Sequence, residues 1–288
     1  MFLRLAHYYT IHSRLGLINV PHGGIAPNIG VEEGPTALLT LLNKRSAITT
    51  ADSYVFPSPE NIDPTQYFDQ LATHSSRAKE LITTTLQANE TIVALGGDHS
   101  ISYASLQAVL EHHGTQNCGI LIFDSHADLH QPSTSPSGNF HGMWLRPFLD
   151  TFEEAVINAA VPQKLHPNQV LFVGNLLTEP AEAAFMQSEH IENISAIDTA
   201  AQERVTQFLN SYHHIHVSFD IDVFASAYVP GVGTPNPSGL TSPQVWPLLR
   251  QIKTHPSISL DMVEVNPRQK GSERTVKLAS RVLQEVLR

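Results

Sequence analysis

Asp124, His126 and Asp128 stand at alternate positions in the stretch Phe123-Asp124-Ser125-His126-Ala127-Asp128. Side chains two apart on an extended chain point the same way. The apolar run Gly119-Ile120-Leu121-Ile122 just before them reads as a buried parallel strand. Two carboxylates and one imidazole therefore share a face where that strand emerges. Such a set suits a divalent cation with mixed oxygen and nitrogen preference. Taken alone, the stretch also fits a solvated acidic loop, because aspartates are mostly exposed.

The same residue types recur after other apolar runs. Thr91-Ile92-Val93-Ala94-Leu95 is followed by Gly96-Gly97-Asp98-His99-Ser100, and His216-Val217-Ser218-Phe219 by Asp220-Ile221-Asp222. The last apolar run, Ser257 to Glu264, ends on a carboxylate. Pooled, the strand ends supply His99, Asp124, His126, Asp128, Asp220 and Asp222. One ion rarely needs so many ligands, whereas two ions about 3.5–4 Å apart with bridging carboxylates use them all. An oxygen-rich set with two imidazoles favours Mn²⁺ over Zn²⁺. Without cations the clustered carboxylates would repel and their pKa values would rise.

The elements that must position these residues alternate along the chain. Strands are expected at Leu15–Val20, Thr91–Leu95, Gly119–Ile122, Val170–Val173, Ile191–Ile197, His216–Phe219 and Ser257–Glu264. Pro21-His22-Gly23-Gly24 ends the first. Helices are expected at Gly34 to about Lys44, Thr65–Ala88, Ser100–His112, His141 to about Ala160, Ala181–Ser188, Thr199–Ser211, Ser242–His255 and Ser272–Leu287, with Ser272 as N-cap. Ser53–Pro64 reads as a surface loop, and Pro230–Gly239 as a Gly/Pro-rich one. The expected fold is one α/β domain over residues 1–288, with a mainly parallel sheet covered on both faces. In such sheets ligands sit beyond the C-terminal strand ends, where every residue singled out above falls.

Composition narrows the function. The chain has 288 residues, 41% hydrophobic and 15% charged, enough for one large core or two modest ones. Its formal net charge of −10, with no basic block, argues against nucleic acid and anionic membrane as partners. Cys118 is the single cysteine, so no intrachain disulfide can form, and it reads as a small core residue. Met1–Tyr9 lacks the apolar core of a signal peptide, and no run approaches the roughly 20 apolar residues of a membrane span. A cytoplasmic location is expected.

At the level of motifs the chain resembles the arginase–agmatinase (ureohydrolase) family, its arginase branch in particular. Gly96-Gly97-Asp98-His99-Ser100 matches the first family motif. Asp124-Ser125-His126-Ala127-Asp128 matches the second, with Ser125 where Ala is usual, and Ser218-Phe219-Asp220-Ile221-Asp222 matches the third. Gly30–Ala37, Ser137-Gly138-Asn139-Phe140-His141-Gly142 and Glu264-Val265-Asn266-Pro267 also look like arginase segments. The resemblance implies a three-layer α/β/α fold, a binuclear manganese centre, and a trimer or hexamer. It implies His99 and Asp128 on one ion, His126 and Asp222 on the other, and Asp124 and Asp220 as bridges. The implied reaction is hydrolysis of a small cationic guanidino substrate to urea and an amine by a hydroxide shared between the ions, with L-arginine leading. Agmatine, formimidoylglutamate and other guanidino compounds are the alternatives, and a silent metal-binding member is a rival from another class.

In that setting His141 could pass a proton to the leaving amine, and Glu264 could pair with the guanidinium as a charge-assisted fork. Asp128 is counted with them among the catalytic residues. A loop histidine and a surface carboxylate are the plainer readings of His141 and Glu264. His130, Ser135, Ser137, Asn139 and Glu179 are the candidate substrate-binding residues. The family pattern is broken here: His130 replaces an Asn, Glu179 stands for an Asp, Leu176-Leu177 for Arg-Asp, and Ala225-Ser226 for Asp-Pro. The expectation is an α-amino-acid end read by the loop Ser133–Asn139, with His130 adding a charged contact if protonated. Of the remaining histidines, His112-His113 and His213, His214 and His216 read as solvated residues in preference to a surface metal site.

Overall fold

The alternation of apolar runs with longer amphipathic stretches forms one parallel sheet between two helical layers in the computed structural model. The structure describes residues 6–12, 29–43, 51–55, 64–87, 91–174 and 176–287. The strands are β1 (Ala6–His12), β2 (Ala51–Val55), β3 (Thr91–Gly96), β4 (Cys118–Phe123), β5 (Val170–Val173), β6 (Glu192–Ile194), β7 (His214–Asp220) and β8 (Ile258–Val263). They pair in parallel in the order β2-β1-β3-β8-β7-β4-β5-β6. The helices are α1 (Gly34–Asn43), α2 (Tyr67–Leu86), α3 (Ile101–His113), α4 (Arg146–Leu149), α5 (Ala155–Ala159), α6 (Pro180–Glu189), α7 (Thr199–Ser211), α8 (Ser242–Ile252) and α9 (Ser272–Leu287).

Strand alternation splits the core in two. Ile92, Ile120, Ile122, Val170 and Phe172 face α2, α3 and Phe148, Ile157 and Phe185 of the short helices beyond them. Val93, Leu121, Val173, Val217, Phe219, Leu260 and Met262 face α1, α7, α8 and α9. Both faces are thus covered, as an all-parallel sheet requires. The chain passes from β3 to β4 across β8 and β7, so successive strands diverge at the middle of the sheet. That is the switch point where open α/β sheets bind ligands. Register sets the four central ends nearly flush: Phe123 pairs with Phe219, Asp220 with Val263, and Leu95 with Met262.

Some expectations change. The predicted strand Leu15–Val20 and its stop at Pro21–Gly24 lie outside the described residues. Ser53–Val55, read as the start of a loop, belong to β2, an edge strand paired to β1 where polar side chains are tolerated. The helical stretch from His141 to Ala160 breaks into α4 and α5, because Pro147 can only begin a helix and extended Asp150 ends it. The strand predicted at Ile191–Ile197 shrinks to β6. Ser272 does not cap α9; its hydroxyl donates to the Pro267 carbonyl.

Candidate metal centre

Each candidate ligand stands at or just past a strand end. His99 lies just past β3, Asp124, His126 and Asp128 past β4, and Asp220 and Asp222 at the end of β7 and beyond. The first turn after β4 needs room beside it: a Cβ on Gly174 would stand 1.8 Å from the Asp124 carbonyl oxygen, so only glycine allows that approach. Asp128 (φ 53°) and Glu264 (φ 63°) take left-handed backbone, uncommon without glycine and concentrated here at one site.

The six groups converge. His99 Nδ1 lies 2.9 Å from Asp128 Oδ2, 3.2 Å from Asp124 Oδ2 and 3.4 Å from Asp220 Oδ2. His126 Nδ1 lies 3.1 Å from Asp222 Oδ2 and 3.6 Å from Asp124 Oδ1. Two triads can each grip one cation: His99, Asp124 and Asp220, and Asp124, His126 and Asp222. Asp124 belongs to both. All but His126 are buried.

Electrostatics make the nest a cation site. Burial, reinforced by the Asp124 charge, pushes Asp128 up to about 7. Burial and the Asp222, Asp124 and Glu264 carboxylates push Asp220 well above the carboxylate range. Burial pulls His99 and His126 down, but the facing carboxylates outweigh it and raise both imidazoles. Asp124 Oδ2 and His99 Nδ1 are buried and accept or donate no hydrogen bond. Native interiors seldom leave such atoms orphaned, and two divalent ions would satisfy both and relieve the carboxylate repulsion. The residues therefore fit a two-metal centre, with the oxygen-rich donor set leaning toward a hard ion.

His99, His126, Asp128 and Asp220 of the nest line a cavity of about 290 Å³. Glu264, His141, Gly233 and Thr234 line it too, as do His130, Ser135, Pro136, Ser137, Asn139, Leu177, Glu179 and Glu182. Glu264 is buried, not a surface carboxylate; its Oε1 accepts from the His99 backbone N–H at 2.9 Å, and burial with Asp98 nearby raises it to about 8. His141 is half-buried in the wall, and desolvation lowers its imidazole pKa.

A family model for the arginase family matches residues 13–288. The chain belongs to the arginase family. The arginase of Entamoeba histolytica is 27% identical over 267 residues, covering 87% of this chain and 90% of that one. The crystal structure of that species' arginase in complex with L-ornithine superposes with a TM-score of 0.85 at 24% identity, covering 100% and 99% of the two chains. The formimidoylglutamase of Bacillus subtilis shares the fold at a TM-score of 0.73 and 18% identity, covering 100% of this chain and 87% of that one. Membership makes this an arginase-family ureohydrolase, a metal-dependent amidinohydrolase with a binuclear centre.

The predicted substrate residues all border the cavity, but not as free readers. His130 is buried, with Nδ1 3.2 Å from Thr134 Oγ1 and Nε2 3.4 Å from Glu182 Oε2 and 3.9 Å from Glu179 Oε2. Ser135 Oγ accepts from Gly138 N–H and Ser137 Oγ from Asn139 N–H, so both hydroxyl protons stay available. Ser133 is turned away; its N–H and hydroxyl donate to Glu153.

Several partners escaped the sequence reading. Ser218 Oγ lies 2.9 Å from His99 Nε2 and fixes which nitrogen faces the nest. It stands two residues before Asp220, so the period of the strand could have marked it. Trp144 donates from Nε1 to Asp128 Oδ2 at 3.0 Å and covers the His99 ring at 4.9 Å. Thr234 donates to Asp222 Oδ2 at 3.0 Å, and Glu182 accepts from the Leu129 and Glu179 N–H groups. Nothing local marks these three. The solvated reading of His214 and His216 fails, since both are buried in β7.

Proposed function

We propose that the chain hydrolyses the C–N bond of a guanidino group, with L-arginine as leading substrate, ornithine and urea as products, and two Mn²⁺ ions per chain. The observation that carries this reading is the pair of triads sharing Asp124 at a cavity that Glu264 and His141 also line. His99 and Asp128 would hold one ion and His126 and Asp222 the other, with Asp124 and Asp220 shared between them. The ions supply a water nucleophile that is ionised near neutral pH.

The chain's own groups do the rest. Glu264, whose Oε1 accepts from His99 N–H, grips the guanidinium with its carboxylate and orients the guanidinium carbon over the nest. A guanidinium held there favours the ionised form of Glu264. His141, its imidazole pKa lowered by desolvation, takes up the proton released as the water adds to the guanidinium carbon and passes it to the leaving amine nitrogen. The hydroxyls of Ser135 and Ser137 donate to a carboxylate at the substrate's far end, and Glu179 accepts from its ammonium.

A second reading is favoured by the engagement of both His130 ring nitrogens and by apolar Leu177, half-exposed at the cavity. These weaken the case for a carboxylate and favour agmatine, which lacks one. A panel of guanidino and formimino compounds with added Mn²⁺, assayed for urea, formamide and ammonia, decides. Higher kcat/KM for L-arginine than for agmatine supports the first reading; the reverse order rejects it. The protein is further proposed to act in the cytoplasm as one domain in a homotrimer or hexamer, on family resemblance, which light scattering tests. Among the described residues, no helix is long and apolar enough to cross a membrane.

A further inference from the structure

Ser125 occupies the one position of the second motif where the chain departs from the usual Ala, and it is fully buried. Its backbone N–H donates to Asp222 Oδ1 at 3.2 Å and its hydroxyl to the Asp222 carbonyl at 2.8 Å. The same hydroxyl oxygen accepts from Asn236 Nδ2 at 3.0 Å. Asn236 is itself 1% exposed and anchored in the loop after β7: its Oδ1 accepts from Ser238 N–H, and its carbonyl from Ser226 N–H. The Ser125 carbonyl accepts from Leu177 N–H, tying in the segment after β5. Ser125 thus joins three strand-end loops, and each hydrogen bond of its hydroxyl has a single donor and a single acceptor.

The brace acts on one half of the nest. With Thr234 on Oδ2 and Ser125 N–H on Oδ1, both oxygens of Asp222 are held, and the Ser125 hydroxyl and Asn236 hold the backbone beneath them. Asp222 belongs only to the triad with Asp124 and His126. His99 is held separately, by Ser218 and the Glu264 contact.

We infer that Ser125 and Asn236 are positioning residues that set the affinity of the His126–Asp222 ion independently of the other. The inference rests on the two-ion reading above. Partners outside the coordination sphere typically change metal affinity by roughly 10–100-fold. The test is a Mn²⁺ titration of the metal-free full chain by calorimetry for wild type, Ser125→Ala, Asn236→Ala and the double variant. Thermal unfolding of each metal-free form is measured alongside. One binding step should weaken about 10–100-fold in each single variant while the other stays within about twofold. The double variant should lose no more than the worse single, because the two side chains form one unit. Two unchanged steps, or two steps weakened equally, overturn the inference and leave the two-ion reading standing. A wild type that binds fewer than two ions overturns the two-ion reading instead. If Ser125→Ala fails to fold, Asn236→Ala carries the same comparison, since it removes the donor and leaves the Asp222 contact.

Discussion

Asp124 is the residue common to both triads, with Oδ1 facing His126 and Oδ2 facing His99. Asp124→Asn keeps the shape and removes the charge. Metal analysis should show both ions weakened by more than the roughly 10–100-fold typical of an outer partner. One ion retained at wild-type affinity would contradict the sharing. His141 lies in the wall and in neither triad, so His141→Ala should keep both ions and lose turnover by roughly 10²–10⁴-fold. Partial recovery with added imidazole would mark a lost proton carrier, and unchanged turnover would return His141 to an ordinary loop histidine. Asp124 could be singled out as a candidate because acid and imidazole residues at alternate positions carry their chemistry locally. Trp144 and Thr234 were not legible, since neither residue type nor spacing links them to Asp128 and Asp222, and only the folded loops do.

At the scale of elements, β7 presents Ile215, Val217 and Phe219 to one core, while His214, His216, Ser218 and Asp220 alternate with them. The polar face meets Ser102 of α3 and Ser259 and Asp261 of β8, and Ser105 of α3 donates to Asp261, forming a buried polar seam. His216 Nε2 lies 3.0 Å from Asp261 Oδ2 and its Nδ1 2.8 Å from Ser259 Oγ. Ser259 Oγ in turn lies 2.8 Å from His214 Nε2, and the His214 ring stacks on His113 at 3.7 Å. Burial, then the neighbouring imidazoles His113, His216, His255 and His112, lower His214 to about 2. An unfolded imidazole titrates near 6.5, so below that pH the unfolded chain binds the extra proton and stability falls. His214 should add up to about 1.4 kcal/mol per pH unit to that fall, present above pH 6.5 and lost progressively below it. Denaturant unfolding of wild type and His214→Leu at pH 7.5, 6.5 and 5.5 checks this: the variant should lose part of the slope, and an equal slope would remove His214 from the account. The alternation in β7 was readable, but its polar face looked solvated because the serines and aspartate opposite come from α3 and β8.

For the whole molecule, ions that bind only the folded chain should stabilise it by mass action. At a hundredfold excess over its Kd, one ion contributes about 2.7 kcal/mol. The midpoint of thermal unfolding should therefore rise with Mn²⁺ concentration and fall to a plateau in chelator, and a midpoint indifferent to both would contradict a preformed nest. The sequence by itself determined the α/β class, the candidate metal-binding residues and their place at strand ends, because residue type and a period of two are local properties. Tertiary structure alone decided that Ser125 ties three loops together, that Trp144 and Thr234 reach Asp128 and Asp222, and that His130 is engaged by Thr134 and Glu182. Those relations depend on strand order and register, which bring β3, β8, β7 and β4 side by side although 165 residues separate contacting groups such as Glu264 and His99. Such long-range proximity is set by how the two apolar faces pack, and no local pattern encodes it.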